Sequence, residues 1–144
     1  MTIALKRIYD PPSPQDGARV LVDRLWPRGL KKEDAALDAW LKDIAPSNEL
    51  RQWFHAHPQQ WSKFREKYLK ELVDDAAQRA LEELYSLEAK RPLVTLLFAS
   101  RNQEQNNATV LKQLIEGKPK PPTGTGPLRA ASGRARAAQR RSAG

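Results

Sequence analysis

The chain has 144 residues, a length typical of one domain that can bury a core without covalent links. It contains no cysteine, which excludes disulfides, thiol catalysis and zinc sites built on cysteine. No apolar stretch of about 18 residues occurs, and the first residues lack a signal-peptide pattern. We therefore expect a cytoplasmic protein that does not contact a membrane.

The net charge of +8 is distributed unevenly along the chain. Residues 118–144 contain seven basic residues and no acidic one, whereas residues 1–117 carry a charge of about +1. Proline, glycine, serine, alanine and arginine dominate the C-terminal segment, a composition that cannot form a packed core. The sequence thus predicts a single domain over residues 1–117 and a disordered basic tail over residues 118–144.

Three segments in the first third of the chain predict β-strands. Residues 3–9 alternate between apolar and polar side chains, and residues 10–17 form a loop rich in proline and glycine. Residues 18–25 predict a buried strand because Val20–Val22 is an uninterrupted apolar run. Residues 37–44 fit either a strand or a helix, and we favour a short edge strand.

Caps and apolar stripes predict helices in the middle of the chain. Residues 31–36 fit one helical turn, and Ser47 is a candidate N-cap for a longer helix. Pro58 suits the first turn of the next helix, and Asp74 or Asp75 can cap a third. Spacing of three and four residues assigns these side chains to buried faces: Leu50, Trp53, Phe54, Trp61, Phe64, Tyr68, Leu69 and Leu72.

The last part of the domain reads as a strand followed by a helix. Residues 93–99 are the clearest buried strand, and residues 104–116 carry a helical apolar stripe that ends at Gly117. The order of elements predicts an α/β fold. We expect a small three-layer domain with a mainly parallel sheet of about four strands flanked by helices.

Charged and polar residues follow both buried strands. Asp23, Arg24 and Arg28 follow the first, and Ser100 and Arg101 follow the second. Parallel strands end at a common edge, where open α/β sheets bind ligands, and the planar guanidinium suits phosphate or carboxylate. The residues of this predicted anion-binding pocket are Asp23, Arg24, Arg28, Ser100, Arg101, Asn106 and Asn107, with Trp26 and Asp43 as supporting residues.

A structural role for these charges is the alternative. The arginines could pair with Asp23, Asp43 and Glu33 to fix loops, and Asp23 could accept hydrogen bonds from arginine or from backbone N–H groups. Two acids are too few for a hard metal ion. His55 and His57 fall at a helix end that turns them apart, and no third ligand accompanies them. We therefore expect neither a metal nor a cofactor.

Five short segments form an ordered set of motifs: residues 22–29 (VDRLWPRG), 40–47 (WLKDIAPS), 50–54 (LRQWF), 61–64 (WSKF) and 106–108 (NNA). Together they resemble the compact members of the domain of unknown function 488 family. The similarity covers about residues 3–116 and leaves the basic tail outside. It implies a small cytosolic bacterial α/β protein, and it does not imply an activity.

The chain departs from the usual pattern of this family at two places. Residues 55–58 read His-Ala-His-Pro, where the family usually has Gly-His-Asp-Pro. After the last strand, Asn102 replaces the usual acid and Gln105 replaces the usual histidine. Acid–base chemistry that depends on those positions is therefore not carried over to this chain.

Two functions stay open from the sequence alone. The first is binding of a small anionic ligand in the predicted pocket. Its most concrete enzymatic form would be a hydrolase of a phosphorylated small molecule, in which Asp23 or Asp43 positions a water. The second is weak binding of nucleic acid, without sequence preference, through the basic tail. The sequence predicts neither a substrate nor an oligomeric state.

Overall fold

The computed structural model describes residues 2–117, so the predicted tail and its boundary lie outside the described residues. The chain divides into a compact unit that ends at Leu114 and a second unit, Ile115–Gly144, of which only helical residues up to Gly117 are described. The fold and the site below belong to the first unit. Of the helices described, none has the length and apolar character needed to cross a bilayer.

The described residues form four strands, five α-helices and two short 3₁₀ helices. The strands are β1 (Thr2–Arg7), β2 (Ala18–Leu21), β3 (Ala39–Trp40) and β4 (Leu93–Phe98). The helices are α1 (Lys32–Ala35), α2 (Asn48–Ala56), α3 (Trp61–Glu71), α4 (Asp75–Lys90) and α5 (Asn107–Gly117). The 3₁₀ helices are Pro14–Asp16 and Lys42–Ile44.

All four strands are parallel, in the order β1-β4-β2-β3. The two central strands, β4 and β2, are buried along almost their whole length, as their apolar runs predict. Leu21 pairs with Leu97, so the two strands end beside each other. The predicted α/β fold with a mainly parallel sheet of four strands is confirmed, and β3 is the short edge strand.

Helical layers cover the sheet on both faces. On one face Leu21 and Leu97 pack with Ile8 and with Ala35 of α1. The crossover from β3 to β4 runs in the opposite direction to that from β2 to β3. The right-handed rule for parallel crossovers therefore assigns α2, α3 and α4 to the other face.

Helix caps were predicted well, whereas two helix starts were predicted too early. Ser47 caps α2 by accepting from the Leu50 N–H (3.1 Å), and Asp74 caps α4. α3 begins at Trp61 and not near Pro58, because residues 57–60 form a turn closed by a backbone hydrogen bond. α5 begins at Asn107 and not at residue 104, since residues 102–106 form a separate loop.

The aromatic stripe of α2 and α3 is only partly covered. Phe64 and Tyr68 are buried, as predicted. Trp53 and Trp61 are half-buried, so their assignment to the core is wrong. Trp61 lies against Phe64 with 5.7 Å between ring centroids, and Trp53 carries the Lys67 ammonium over its ring. Both tryptophans therefore shield the edge of the core from solvent.

A buried ion pair lies at the amino end of β2. Arg19 donates to the Asp16 carboxylate at 2.5 Å and to the backbone carbonyl of Ala35 at 2.8 Å, and Lys6 pairs with the same carboxylate at 3.1 Å. Burial opposes ionisation of Asp16. Hydrogen bonds from a backbone N–H and from the two cations outweigh it and hold the pKa of Asp16 below its ordinary value. This cluster links β1, β2 and α1.

Candidate functional site

The carboxyl ends of β2 and β4 open into a cavity of about 730 Å³. Ligand-binding pockets of proteins have volumes of this order. Asp43 does not line the cavity, because it lies exposed in the 3₁₀ helix Lys42–Ile44. The other residues of the predicted site all do: Asp23, Arg24, Arg28, Ser100, Arg101, Asn106 and Asn107, together with Trp26.

Asp23 holds the ends of the two central strands together. One of its carboxylate oxygens accepts from the Ala99 N–H after β4 (2.8 Å), and the other accepts from the side-chain amide of Asn107 (3.2 Å). The same amide donates to the Val22 carbonyl at 2.8 Å. Asp23 and Asn107 thus clamp β2, β4 and the start of α5, and the carboxylate accepts from backbone N–H as the structural alternative predicts.

The environment of Asp23 disfavours its charged form. Burial raises the pKa of this carboxyl above its ordinary value of 3.8, and the hydrogen bonds from Ala99 and Asn107 offset only part of the effect. The positive charge of Arg51 acts in the same direction as those hydrogen bonds. Asp23 therefore stays protonated to a higher pH than an exposed aspartate, and its protonated form neutralises none of the surrounding positive charge.

Arg24 is held by backbone carbonyls and not by an acid. Its guanidinium donates to the carbonyls of Ala45 (3.0 Å) and Pro46 (3.2 Å), just before α2. Both ion pairs found within residues 2–117 involve Asp16, at the opposite edge of the sheet. The pairing of the edge arginines with Asp23, Asp43 and Glu33, offered as the structural alternative, is therefore wrong.

Arg28 and Arg101 lie on exposed loops at the cavity. Arg28 occupies a turn in which the Leu30 N–H donates to the Pro27 carbonyl (3.3 Å) and Gly29 has a φ of 77°, as type II turns require. Within the described residues, neither guanidinium makes a hydrogen bond or an ion pair. Both are therefore available to a ligand.

The loop before α5 differs from its predicted form. The Asn102 side-chain oxygen accepts from the backbone N–H groups of Glu104 (3.0 Å) and Gln105 (2.9 Å). Asn106 caps the helix by accepting from the Thr109 N–H at 3.0 Å. The backbone N–H groups of Glu104 and Gln105 are therefore bound by Asn102 and are not free to face the arginines.

Twelve further residues line the cavity without having been predicted there, and three of them have titratable side chains. Arg51 and His55 come from α2, and Tyr9 follows β1, with its hydroxyl donating to the Arg28 carbonyl at 2.9 Å. Arg51 and His55 belong to the polar face of α2, and the sequence pattern does not distinguish such a face from one that is simply exposed to solvent. Arg7 also stabilises the site, since it donates to the Ala99 and Ser100 carbonyls at 3.0 Å each.

The sequence matches a known family along most of its length. A family model described as "Inactive DUF488-N3 subclade" covers residues 2–127. The chain belongs to this family. The resemblance inferred from the five motifs is therefore confirmed, and the family match continues ten residues beyond Gly117.

Relatives of this chain are matched over nearly their full length. The uncharacterized protein YeaO of Escherichia coli K12 is 50% identical over 111 residues, which are 77% of this chain and 94% of the relative. Uncharacterized proteins Mb3100c of Mycobacterium bovis and Rv3073c of Mycobacterium tuberculosis H37Rv are each 41% identical over 116 residues, 81% of this chain and 95% of theirs. No solved structure gives a significant match.

Among residues 2–117, no group of three or more histidine, cysteine, aspartate or glutamate side chains is placed to hold a metal ion. The titratable groups lining the cavity are mostly cations: Arg24, Arg28, Arg51 and Arg101, with His55, Tyr9 and the single acid Asp23. Such a lining suits binding of a negative charge better than proton transfer.

Proposed function

We propose that this member of the family binds a small anionic ligand in the cavity at the carboxyl edge of the sheet, without transforming it. The observation that carries the proposal is the imbalance of charge around the cavity. Four arginines and one aspartate line it, and burial favours the neutral form of that aspartate. Convergent cations of this kind attract anions and hold them by charge-assisted hydrogen bonds.

The arginines differ in how their guanidinium groups are bound, and this difference supports the proposal. The guanidinium of Arg24 is fixed by two carbonyls and so contributes a positioned charge. The side chains of Arg28 and Arg101 make no hydrogen bond or ion pair within residues 2–117, and their donors would be satisfied by a phosphate or carboxylate. A ligand would also reduce the repulsion between these cations.

Binding without catalysis agrees with the small number of acid–base groups at the cavity. Asp23 has both carboxylate oxygens engaged by Ala99 and Asn107, and Asp43 lies outside the cavity. Asn102 and Gln105 stand where the family usually has an acid and a histidine, and the matched subclade is described as inactive. These features disfavour the hydrolase alternative.

Phosphate should stabilise the wild-type protein, and removal of a free arginine should abolish most of that effect. We expect Arg28→Ala and Arg101→Ala each to weaken phosphate binding about tenfold, because each removes charge-assisted hydrogen bonds. The measurement is the thermal unfolding midpoint against sodium phosphate concentration at constant ionic strength, analysed as linked binding.

Arg79→Ala is the matched control, since Arg79 is exposed on α4 and does not line the cavity. It changes the net charge equally and should leave the phosphate response intact. Equal weakening in all three variants would reduce the effect to overall charge and contradict the proposal, as would the absence of any phosphate response in wild type.

A second proposal concerns the basic segment 118–144, which lies outside the described residues. Its charge of +7 favours weak retention on nucleic acid by release of counterions. We expect replacement of Arg134, Arg136, Arg140 and Arg141 by glutamine in the full chain to lower retention on duplex DNA at low salt and to flatten its salt dependence. Unchanged retention would contradict a role of the tail. The phosphate response of the cavity should not change.

A further inference from the structure

Exposed apolar side chains are concentrated at the cavity. Three large hydrophobic residues are exposed among the described residues: Tyr9 (43%), Leu25 (53%) and Val73 (71%). Tyr9 and Leu25 both line the cavity, whereas Val73 lies between α3 and α4. An inorganic anion gains nothing from such side chains, but a ligand with an apolar part gains by removing them from water.

Two aromatic rings at the cavity are held in position by hydrogen bonds that their polar atoms donate. The Tyr9 hydroxyl donates to the Arg28 carbonyl (2.9 Å), and the Trp26 indole N–H donates to the Leu30 carbonyl (2.6 Å). Trp26 also meets Trp40 edge to face, with 5.3 Å between ring centroids. Rings held in this way offer contact area at a small cost in conformational entropy.

Beside Arg51 and His55, α2 and α3 also contribute apolar side chains to the lining. Phe54 and Phe64 line the cavity and stack on each other at 4.3 Å between centroids. A volume of about 730 Å³ is far larger than a phosphate ion and falls within the range of pockets for drug-sized ligands. The cavity thus combines cations for one part of a ligand with apolar surface for another.

We infer that the ligand is a small molecule that joins a phosphate group to a flat aromatic ring, as in an aryl phosphate or a nucleoside monophosphate. This inference rests on the proposed function, since the arginines would hold the phosphate. The ring would contact the aromatic side chains and Leu25. Stacking of a ligand ring on aromatic side chains increases the affinity, and the increase depends little on which ring the ligand carries.

Two pairs of probes test the inference on the full chain by isothermal titration calorimetry at constant ionic strength. Phenyl phosphate is compared with methyl phosphate, and adenosine monophosphate with ribose 5-phosphate. Within at least one pair, the ringed compound should bind about tenfold more tightly. The pair that shows the preference distinguishes a simple aryl group from a nucleobase.

Leu25→Ser should remove most of the preference for the ring while retaining binding of methyl phosphate. Val73→Ser is the matched control, because it alters an exposed apolar residue away from the cavity, and it should preserve the preference. Both side chains are exposed, so both variants should melt near wild type. Equal loss in the two variants would overturn the inference.

The failures of the two proposals are distinguishable. Equal affinity for phosphates with and without a ring would overturn the inference of an aromatic ligand, but it would remain consistent with the proposed anion site. Absence of binding by all four phosphates overturns the anion site and the inference with it.

Discussion

Arg19→Ala is expected to lower the free energy of unfolding by about 3–5 kcal/mol, the usual cost of breaking a buried ion pair from one side. Arg19 is 4% exposed and its guanidinium donates to the Asp16 carboxylate and to the carbonyls of Ala35 and Ala36. Alanine would leave those buried acceptors with fewer donors and would open space beneath α1. Urea unfolding monitored by tryptophan fluorescence measures the loss.

Two controls separate the pair from general effects of charge and size. Arg79→Ala removes an exposed arginine and should cost less than about 0.5 kcal/mol. A double-mutant cycle with Asp16→Ala should show that the two changes together cost less than their sum, since the second removes the carboxylate left by the first. Strict additivity would contradict coupling between the two groups.

The dependence of stability on pH gives an independent test of the same cluster. The pKa of Asp16 is lowered in the folded protein, so its stabilising contribution is present above the ordinary value of 3.8 and is lost as the pH falls through the folded pKa. Arg19→Ala removes one of the hydrogen bonds that lower this pKa. The variant should therefore lose less stability than wild type on acidification from pH 6 to pH 3.

The elements that the sequence predicted best are those whose signal is local. The apolar runs of β2 and β4 reflect burial on both faces, and Ser47 and Asp74 cap helices through atoms two or three residues away. The convergence of Arg24 and Arg101 at one edge followed from parallel strands alone. Each of these inferences needs only a short segment or a general rule of topology.

The features that sequence reasoning missed depend on contacts between distant segments. Arg24 is bound by the carbonyls of Ala45 and Pro46, and every residue has a carbonyl, so no side-chain pattern marks such partners. Arg51 reaches the cavity only because the crossover after β3 brings α2 to the carboxyl edge. Periodicity also placed Trp61 on the apolar face of α3 without indicating that this part of the face is only partly covered.

Gly17→Ala is expected to destabilise the protein by at least about 3 kcal/mol. Gly17 has φ 66° and ψ −136°, a conformation that side chains strongly disfavour. A Cβ atom there would overlap the backbone carbonyl of Leu93, where β4 begins. Since that neighbour is backbone in a central strand, relief would require β2 and β4 to move apart and disturb their pairing.

Gly29→Ala measures the strain of a positive φ where no overlap accompanies it. Gly29 also has a positive φ, of 77°, but a Cβ added there would meet no atom within 4 Å. Its replacement should therefore cost only about 1–2 kcal/mol, the price of the left-handed conformation. The excess loss in Gly17→Ala, measured by urea unfolding of both variants, reports the contact with Leu93 together with the additional strain of ψ −136° at Gly17. Equal losses would contradict the close approach of Gly17 to β4, and with it the backbone spacing that sets the ends of β2 and β4 beside each other at the cavity.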